Sequence, residues 1–395
     1  MYVYADNAAT TKLSEAALAA MMPYFTEVYG NPSSLHSVGQ EAKEHLEDAR
    51  ARVAKCLGCE AREIYFTSGG SEADNQAIRS AAMIGARKGK KHIISTAFEH
   101  HAVLHTLDRL EKEGFEVTYL DVRNNHNITA QQVADAIRPD TCLVTVMYAN
   151  NEIGSVLPIA EIGAVCKEKG VIFHTDAVQA VGHIAIDVKA QNIDMLSLSG
   201  HKFHGPRGVG ALYCRRGLML TNLIDGGAQE RGKRAGTENL AGIVGMTVAL
   251  EHAVANLEAY TARVTALRDK LIAGLSQIPH CDLNGDRVNR LPNNVSFCFE
   301  GIEGEALLLL LDMKGVAASS GSACTSGSLD PSHVLLAIGR IHDVAHGSLR
   351  LSLSEYTTDE EIDHILKVVP EVVAYLRSIS PVWRDLQVGK RQYIL

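Results

Sequence analysis

Lys202 stands between two histidines in the stretch 196–210, LSLSGHKFHGPRGVG, just past an apolar run and just before a Gly-rich turn. A lysine held there can lose solvent, and the lowered pKa frees its amine for a Schiff base. The ordinary alternative is a surface lysine in a turn. Asp176 closes a second apolar run, in 173–180, FHTDAVQA. Read locally it is a helix N-cap. A carboxylate and an amine on neighbouring strand ends are also what pyridoxal phosphate requires, the acid keeping the ring nitrogen protonated and the amine joining the aldehyde.

Other stretches carry weaker signals. In 66–75, FTSGGSEADN, an apparent strand gives way to a helical pattern, so amides and hydroxyls there could hold a phosphate, or merely cap a helix. Neither GxGxxG nor GxxxxGK[ST] occurs, which leaves a dinucleotide fold and a P-loop unsupported. His100, in 98–105, FEHHAVLH, could stack on a flat ring; Glu99, His101 and His105 form a rival zinc-hydrolase set, although the motif is not HExxH. Cys56 and Cys59 have CxxC spacing but no second pair, so two structural thiols are expected. Cys324 differs, because it sits within SSGSACTSGS (319–328), a loop-like tract suited to carrying a transferred group or acting as a sulfur carrier. Arg350, on an apparent strand, could grip a carboxylate bidentately or form a structural ion pair.

These residues need a scaffold. Helical spacing covers 14–24 and 39–57, and from 63 onward short β-rich runs alternate with helical patterns, at 63–66, 92–95, 116–120, 142–147, 171–174, 194–198 and 210–213. That order predicts an α/β fold with a mostly parallel, helix-covered sheet. The stretch 240–278 reads as helical throughout, a connector out of the first domain. Beyond it lie strand patterns at 293–299, 316–318 and 348–352 and helices at 303–314 and 358–378, a smaller α+β unit. Residues 387–395 show no periodicity and are expected to be loosely held.

Composition agrees with this plan. A chain of 395 residues suits two domains, and 46% hydrophobic with 21% charged residues excludes disordered, collagenous and coiled-coil classes. With 38 basic against 46 acidic residues and a net charge of −8, nucleic acid is not the expected partner. Eight cysteines without framework spacing suit a reducing compartment. No signal-peptide pattern or membrane-length apolar run occurs, so a soluble, cytoplasmic protein is expected.

Taken together, DNAATT (6–11), GNPSSLHS (30–37), FTSGGSEADN, EHHAVL (99–104), ANNEIG (149–154), FHTDAVQAVG (173–182), SGHKFHGPRGVGALY (199–213), QERGKRAGTEN (229–239), GEALLLLL (304–311), SSGSACTSGSLDPSHVL (319–335) and AHGSLR (345–350) resemble the cysteine desulfurases of the NifS type. The likeness runs nearly end to end, and the wording around Cys324 is closer to the nitrogenase-associated branch. It implies the aspartate-aminotransferase-like fold type I of pyridoxal 5'-phosphate enzymes, with a large domain over 15–255 and a small one made of 1–14 and 256–395. It makes Lys202 the Schiff-base lysine, Asp176 the partner of the pyridine nitrogen and His100 the stacked imidazole. Gln179 and Asn151 would contact the ring oxygen, Asn151 also lying near the substrate carboxylate. Gly70, Ser71, Ser199 and His201 would hold the phosphate, joined by Thr237 from the second subunit of a homodimer. Where the family often has Ala-Thr, this chain has Gly70-Ser71, which keeps the hydroxyl.

Arg350 would bind the carboxylate of L-cysteine, and Cys324 would take its sulfur as a persulfide, leaving alanine, with His100 the candidate acceptor of the thiol proton. The implied partner is a U-type iron–sulfur scaffold protein, with Cys324 a cluster ligand only transiently during transfer. A selenocysteine lyase or another pyridoxal-phosphate enzyme of this fold is the alternative, for which Cys324 would be dispensable.

Overall fold

The computed structural model describes residues 1–320 and 331–395; residues 321–330, Cys324 among them, lie outside the described residues. Its central element is a seven-stranded sheet in the order Ile64–Thr67, Gly210–Cys214, Met195–Ser199, Ile172–Asp176, Thr141–Thr145, His92–Thr96, Glu116–Leu120. Neighbours from Met195–Ser199 to Glu116–Leu120 are parallel. Gly210–Cys214 runs antiparallel to both of its neighbours. The ten residues between Ser199 and Gly210 are too few for a crossover helix, so the chain returns beside the strand it has just left. Four of the inner strands are buried along their whole length, as a sheet covered on both faces demands. The Gly70–Ala86 helix packs across Thr141–Thr145, Met195–Ser199 and Gly210–Cys214.

A second core surrounds a three-stranded antiparallel sheet, Ser348–Ser352, Asn294–Phe299 and Cys281–Leu283, packed by the Leu257–Leu275, Gly304–Met313 and Asp359–Ile379 helices. Val3–Tyr4 pairs in parallel with Val316–Ala317. Neither Val3–Tyr4 nor Cys281–Leu283 was expected from periodicity, being too short to show one.

Two expectations need correction. The stretch 240–278 is helical as far as Leu275, as expected, but as a connector it is not straight: Leu240–Ala255 and Leu257–Leu275 meet at a bend of 74°. Asn256 sits between them, its backbone and side-chain amides both donating to the His252 carbonyl, at 3.1 and 2.8 Å. The tail 387–395 is also not loose. Tyr393 stacks on His280 at 3.8 Å, and the Ile394 and Leu395 amides donate to the Glu300 carboxylate. Backbone-to-carboxylate bonds leave no periodic trace in a sequence. No single helix among the described residues is long and apolar enough to cross a membrane.

One buried ion pair fixes the strand that feeds the site. Arg50 grips Glu230 bidentately at 2.7 and 2.8 Å and donates to the Ile64 carbonyl, while Glu230 accepts the Phe66 amide at 2.9 Å. Glu230 keeps this position despite a left-handed φ of 47°. Removing one partner strands a buried charge. Arg50→Leu is therefore expected to lower the unfolding free energy by about 3–5 kcal/mol, read as a lower urea midpoint; a midpoint equal to that of the unaltered chain would show that the pair does not hold this strand.

Candidate active site

The strand ends of the seven-stranded sheet open into a cavity of about 330 Å³. Its lining includes Gly70, Ser71, His100, Asn151, Asp176, Gln179, Ser199, His201, Lys202 and Arg350, so every described residue that the resemblance assigns to the site, except Thr237, meets there. Size does not single it out: a recess of about 560 Å³ beside Trp383 is larger, but its lining has two arginines and neither a lysine nor a carboxylate.

Lys202 ends a single 3-10 turn after Met195–Ser199, and its Nζ donates to the Ala8 carbonyl at 2.6 Å and the Ala9 carbonyl at 2.8 Å. Ala8 also accepts from Gln179 Nε2 at 3.0 Å. The neighbouring His201 meets Thr10 Oγ1 at 3.1 Å and is pushed down to about 4 by burial, with Lys202 and Arg207 acting the same way. It is neutral, and so leaves an anion no competing titration at physiological pH.

Asp176, the last residue of its strand, is buried, and Oδ1 accepts the Val178 amide at 2.9 Å. Both readings of this residue hold: it caps the turn and it lines the cavity. Burial pushes its carboxyl up, while His100 and Lys202 pull the other way. His100 is the N-cap of the His101–Lys112 helix, its Nδ1 accepting the Ala102 amide at 3.1 Å. Neutral His100 therefore carries its hydrogen on Nε2. Burial lowers its pKa, with Lys202 and His105 adding to the effect and Asp176 opposing it.

Gly70 opens the Gly70–Ala86 helix, and a Cβ there would lie 2.5 Å from a methyl of Val178. The same closeness governs Gly210, whose missing Cβ lets Gly69 approach; a methyl there would come within 2.8 Å of the Gly69 Cα. Across the cavity, Arg350 donates to Asp6 Oδ1 at 2.8 Å and to the Asn151 carbonyl at 3.2 Å, while its buried Nε has no hydrogen-bond partner. The local ion pair foreseen for Arg350 exists, and a donor remains over. Thr237 is exposed and outside the cavity of its own chain.

The rival metal sites do not assemble. Glu99 is wholly buried, its Oε1 taken by Thr96 Oγ1 at 2.6 Å and the Met147 amide at 3.0 Å, whereas His105 is exposed. Among the described residues, the one group of three potential ligands within 4.8 Å of one another is Asp74, His100 and Asp176. Cys56 and Cys59 are free thiols pushed up by burial to about 11 and about 12, unreactive in that state. Sequence reasoning gave no role to Asp6, the Ala8 and Ala9 carbonyls, Thr10 or Asp74. The first four belong to the quoted DNAATT stretch, and Asp74 lies one helical turn after Gly70.

This donor set fits pyridoxal phosphate: a helix N-terminus without a Cβ, two hydroxyls and a neutral imidazole at one end, and a buried carboxylate and a lysine amine at the other. Residues 3–365 match the family model described as aminotransferase class-V. The chain belongs to the class-V aminotransferase family. Within the family it is 55% identical over 393 residues to a protein named cysteine desulfurase IscS from Clostridium botulinum strain Hall, covering 99% of each chain. It is 55% identical to the IscS of Methanosarcina thermophila, covering 96% of this chain and 94% of that one. Among solved structures, a NifS-like protein superposes with a TM-score of 0.89 at 39% identity, over 95% of this chain and 100% of that one. Another, SspA in complex with cysteine, gives 0.79 at 39% identity, over 90% and 99%. The expected fold type I, mostly parallel sheet and pyridoxal-phosphate cofactor agree with these class-V relatives.

The buried acids beside the cavity carry a testable cost. Glu99 is pushed up to about 8 by burial, so from its unfolded value near 4.5 upward the unfolded chain ionises while the folded chain does not. Its contribution is full below about pH 4.5 and is lost as pH rises toward 8. Glu99→Gln is expected to flatten the fall of stability over that window by about 1 kcal/mol per pH unit, measured by denaturant titration at stepped pH. An identical slope in the variant would mean that Glu99 is ionised in the fold.

Proposed function

We propose that this chain is a pyridoxal-phosphate-dependent cysteine desulfurase, converting L-cysteine to L-alanine and passing the sulfur, as a persulfide on Cys324, to a U-type iron–sulfur scaffold protein. The observation that carries the reading is the meeting of Lys202, Asp176 and His100 with Arg350 in one cavity. The names of the IscS relatives and the cysteine-bound SspA neighbour support the substrate.

Bound pyridoxal phosphate supplies an electron sink for the charge released at the substrate Cα. Gly70, Ser71, Ser199 and His201 would hold its phosphate, Asp176 would keep its ring nitrogen protonated, His100 would stack on the ring, and Gln179 and Asn151 would contact its ring oxygen. Arg350, which lines the cavity, would bind the substrate carboxylate, with Asn151 alongside. Lys202, aimed by the Ala8 and Ala9 carbonyls, takes the Cα proton on Nζ. The Cys324 thiolate attacks the substrate sulfur; the C–S bond breaks with its electrons left on carbon, and the carbon skeleton leaves as alanine once protonated. Because His100 already carries a hydrogen on Nε2, it accepts the thiol proton only as an imidazolium, which the Asp176 charge favours and Lys202 disfavours.

The exposure of Thr237 outside its own cavity supports a homodimer in which each copy completes the other's phosphate site. Seven described cysteines without a disulfide support a reducing, cytoplasmic setting. The acceptor protein, rather than this chain, selects among nitrogenase, general clusters and tRNA thiolation.

The test is alanine formed from L-cysteine under reducing conditions by the cofactor-loaded protein, with Cys324→Ser beside it. The unaltered protein is expected to make alanine and the variant to lose nearly all of it. Equal turnover by both would point to a selenocysteine lyase or another enzyme of this cofactor. Lys202→Ala is expected to abolish the borohydride-sensitive visible absorbance, and a coloured, active variant would overturn the assignment of Lys202.

A further inference from the structure

A second carboxyl lies in the cavity floor, and no step above uses it. Asp74, in the second turn of the Gly70–Ala86 helix, lines the cavity, is 1% exposed, and has an Oδ1 without a hydrogen-bond partner. Its carboxyl lies within 4.8 Å of ligand atoms of both Asp176 and His100. Two carboxylates so close and so dry do not both ionise.

The surroundings decide which one keeps the charge. Asp176 has the Val178 amide, Lys202 and His100 around it. Among the described residues, the acids that act on Asp74 are Asp176 and, more weakly, Glu99. His174 Nε2 is 3.6 Å away, but its ring nitrogens meet the Thr145 and Ser197 hydroxyls, and burial pushes it down to about 3, leaving it neutral. Glu99, from the turn before the next helix, is pushed up to about 8 and is neutral as well. Burial and the Asp176 charge push Asp74 well up, and the Ser197 hydroxyl offsets this only in part. A neutral carboxyl has one O–H to donate, and among the described residues the anion within reach is Asp176.

We propose that Asp74 is a positioning residue for Asp176: as a carboxylic acid it donates a hydrogen bond toward the Asp176 carboxylate and confines the negative charge of the pair to the group that faces the cofactor ring. This rests on the pyridoxal-phosphate reading of the cavity. Asp74 thereby makes Asp176 a weaker base, which keeps the proton on the ring nitrogen rather than on the acid.

An amide is also a donor of the same shape, so Asp74→Asn and Asp74→Ala should behave differently. For Asp74→Ala the dissociation constant of the cofactor is expected to rise about tenfold, and the pH midpoint of the visible band to move. Asp74→Asn should leave both unchanged. An alanine variant with unaltered affinity and midpoint, or an asparagine variant displaced as far as the alanine one, would overturn the proposal.

A second measurement needs no cofactor. The infrared difference between unaltered, cofactor-free protein and its Asp74→Asn variant at pH 7 should contain a protonated-carboxyl C=O band belonging to Asp74. Its absence would overturn the proposal even if the alanine variant does not fold. A chain that takes up no pyridoxal phosphate, yet shows this band, would fail the functional reading while leaving the protonation of Asp74 standing.

Discussion

A carboxylate withdrawn from water has to be compensated, and at the C-terminal edge of the seven-stranded sheet the Val178 amide, Lys202 and His100 supply that compensation for Asp176. Apart from Arg350, which Asp6 pairs, the rest of the cavity is arranged so that little further charge has to be met. His174, His201, Glu99 and Asp74 all have pKa values displaced toward their neutral forms, by burial in every case. The parallel strands that create this dry edge are buried because helices cover both faces, so architecture and electrostatics share one cause. A looser sheet would admit water, return these groups to ordinary titration, and dissolve the distinction between the single ionised acid and its neutral surroundings.

The two cores meet at the cavity through the N-terminal segment. Ala5 and Asn7 bond to Ser352 in the small antiparallel sheet, Asp6 pairs with Arg350, Ala8 and Ala9 orient Lys202, and Thr10 and Thr11 reach His201 and the turn beyond it. The Lys202 amine and the Arg350 guanidinium, both lining the cavity, are thus indexed to the same few residues of chain. Their separation is set by backbone, which is stiffer than either long side chain.

Much of this was legible in the sequence. Lys202 and Asp176 could be found because strand ends followed by Gly-rich or capping turns are the places where α/β sheets expose chemistry. The order of strands and helices was readable from alternation, and the likeness of eleven stretches supplied roles for Gly70, Ser71, Gln179 and Thr237 that spacing alone could not. What stayed hidden has a physical character in common. Asp74 looks like an exposed acid in a helix, and only the fold reveals that its face is dry. The bend at Asn256, where one residue's backbone and side chain both bond the His252 carbonyl, leaves the hydrophobic periodicity on either side unbroken. The tail is held by backbone amides on Glu300, contacts to which side-chain pattern is blind.

The pairing of Val3–Tyr4 with Val316–Ala317, and of Asp6 with Arg350, has a consequence for the order in which the molecule comes into being. During synthesis, at about 5–20 residues per second, the strands of the large sheet can find one another while the opening residues still lack their partners. Arg350 and the segment that carries the Ala8 and Ala9 carbonyls come together only when nearly all of the chain has been made. A ribosome-bound fragment ending before Arg350 can thus own a finished large sheet and still be chemically mute. Long-range pairing of this kind slows folding, so the contacts that Arg350 brings to Asp6 and Asn151 are among the last the cavity acquires.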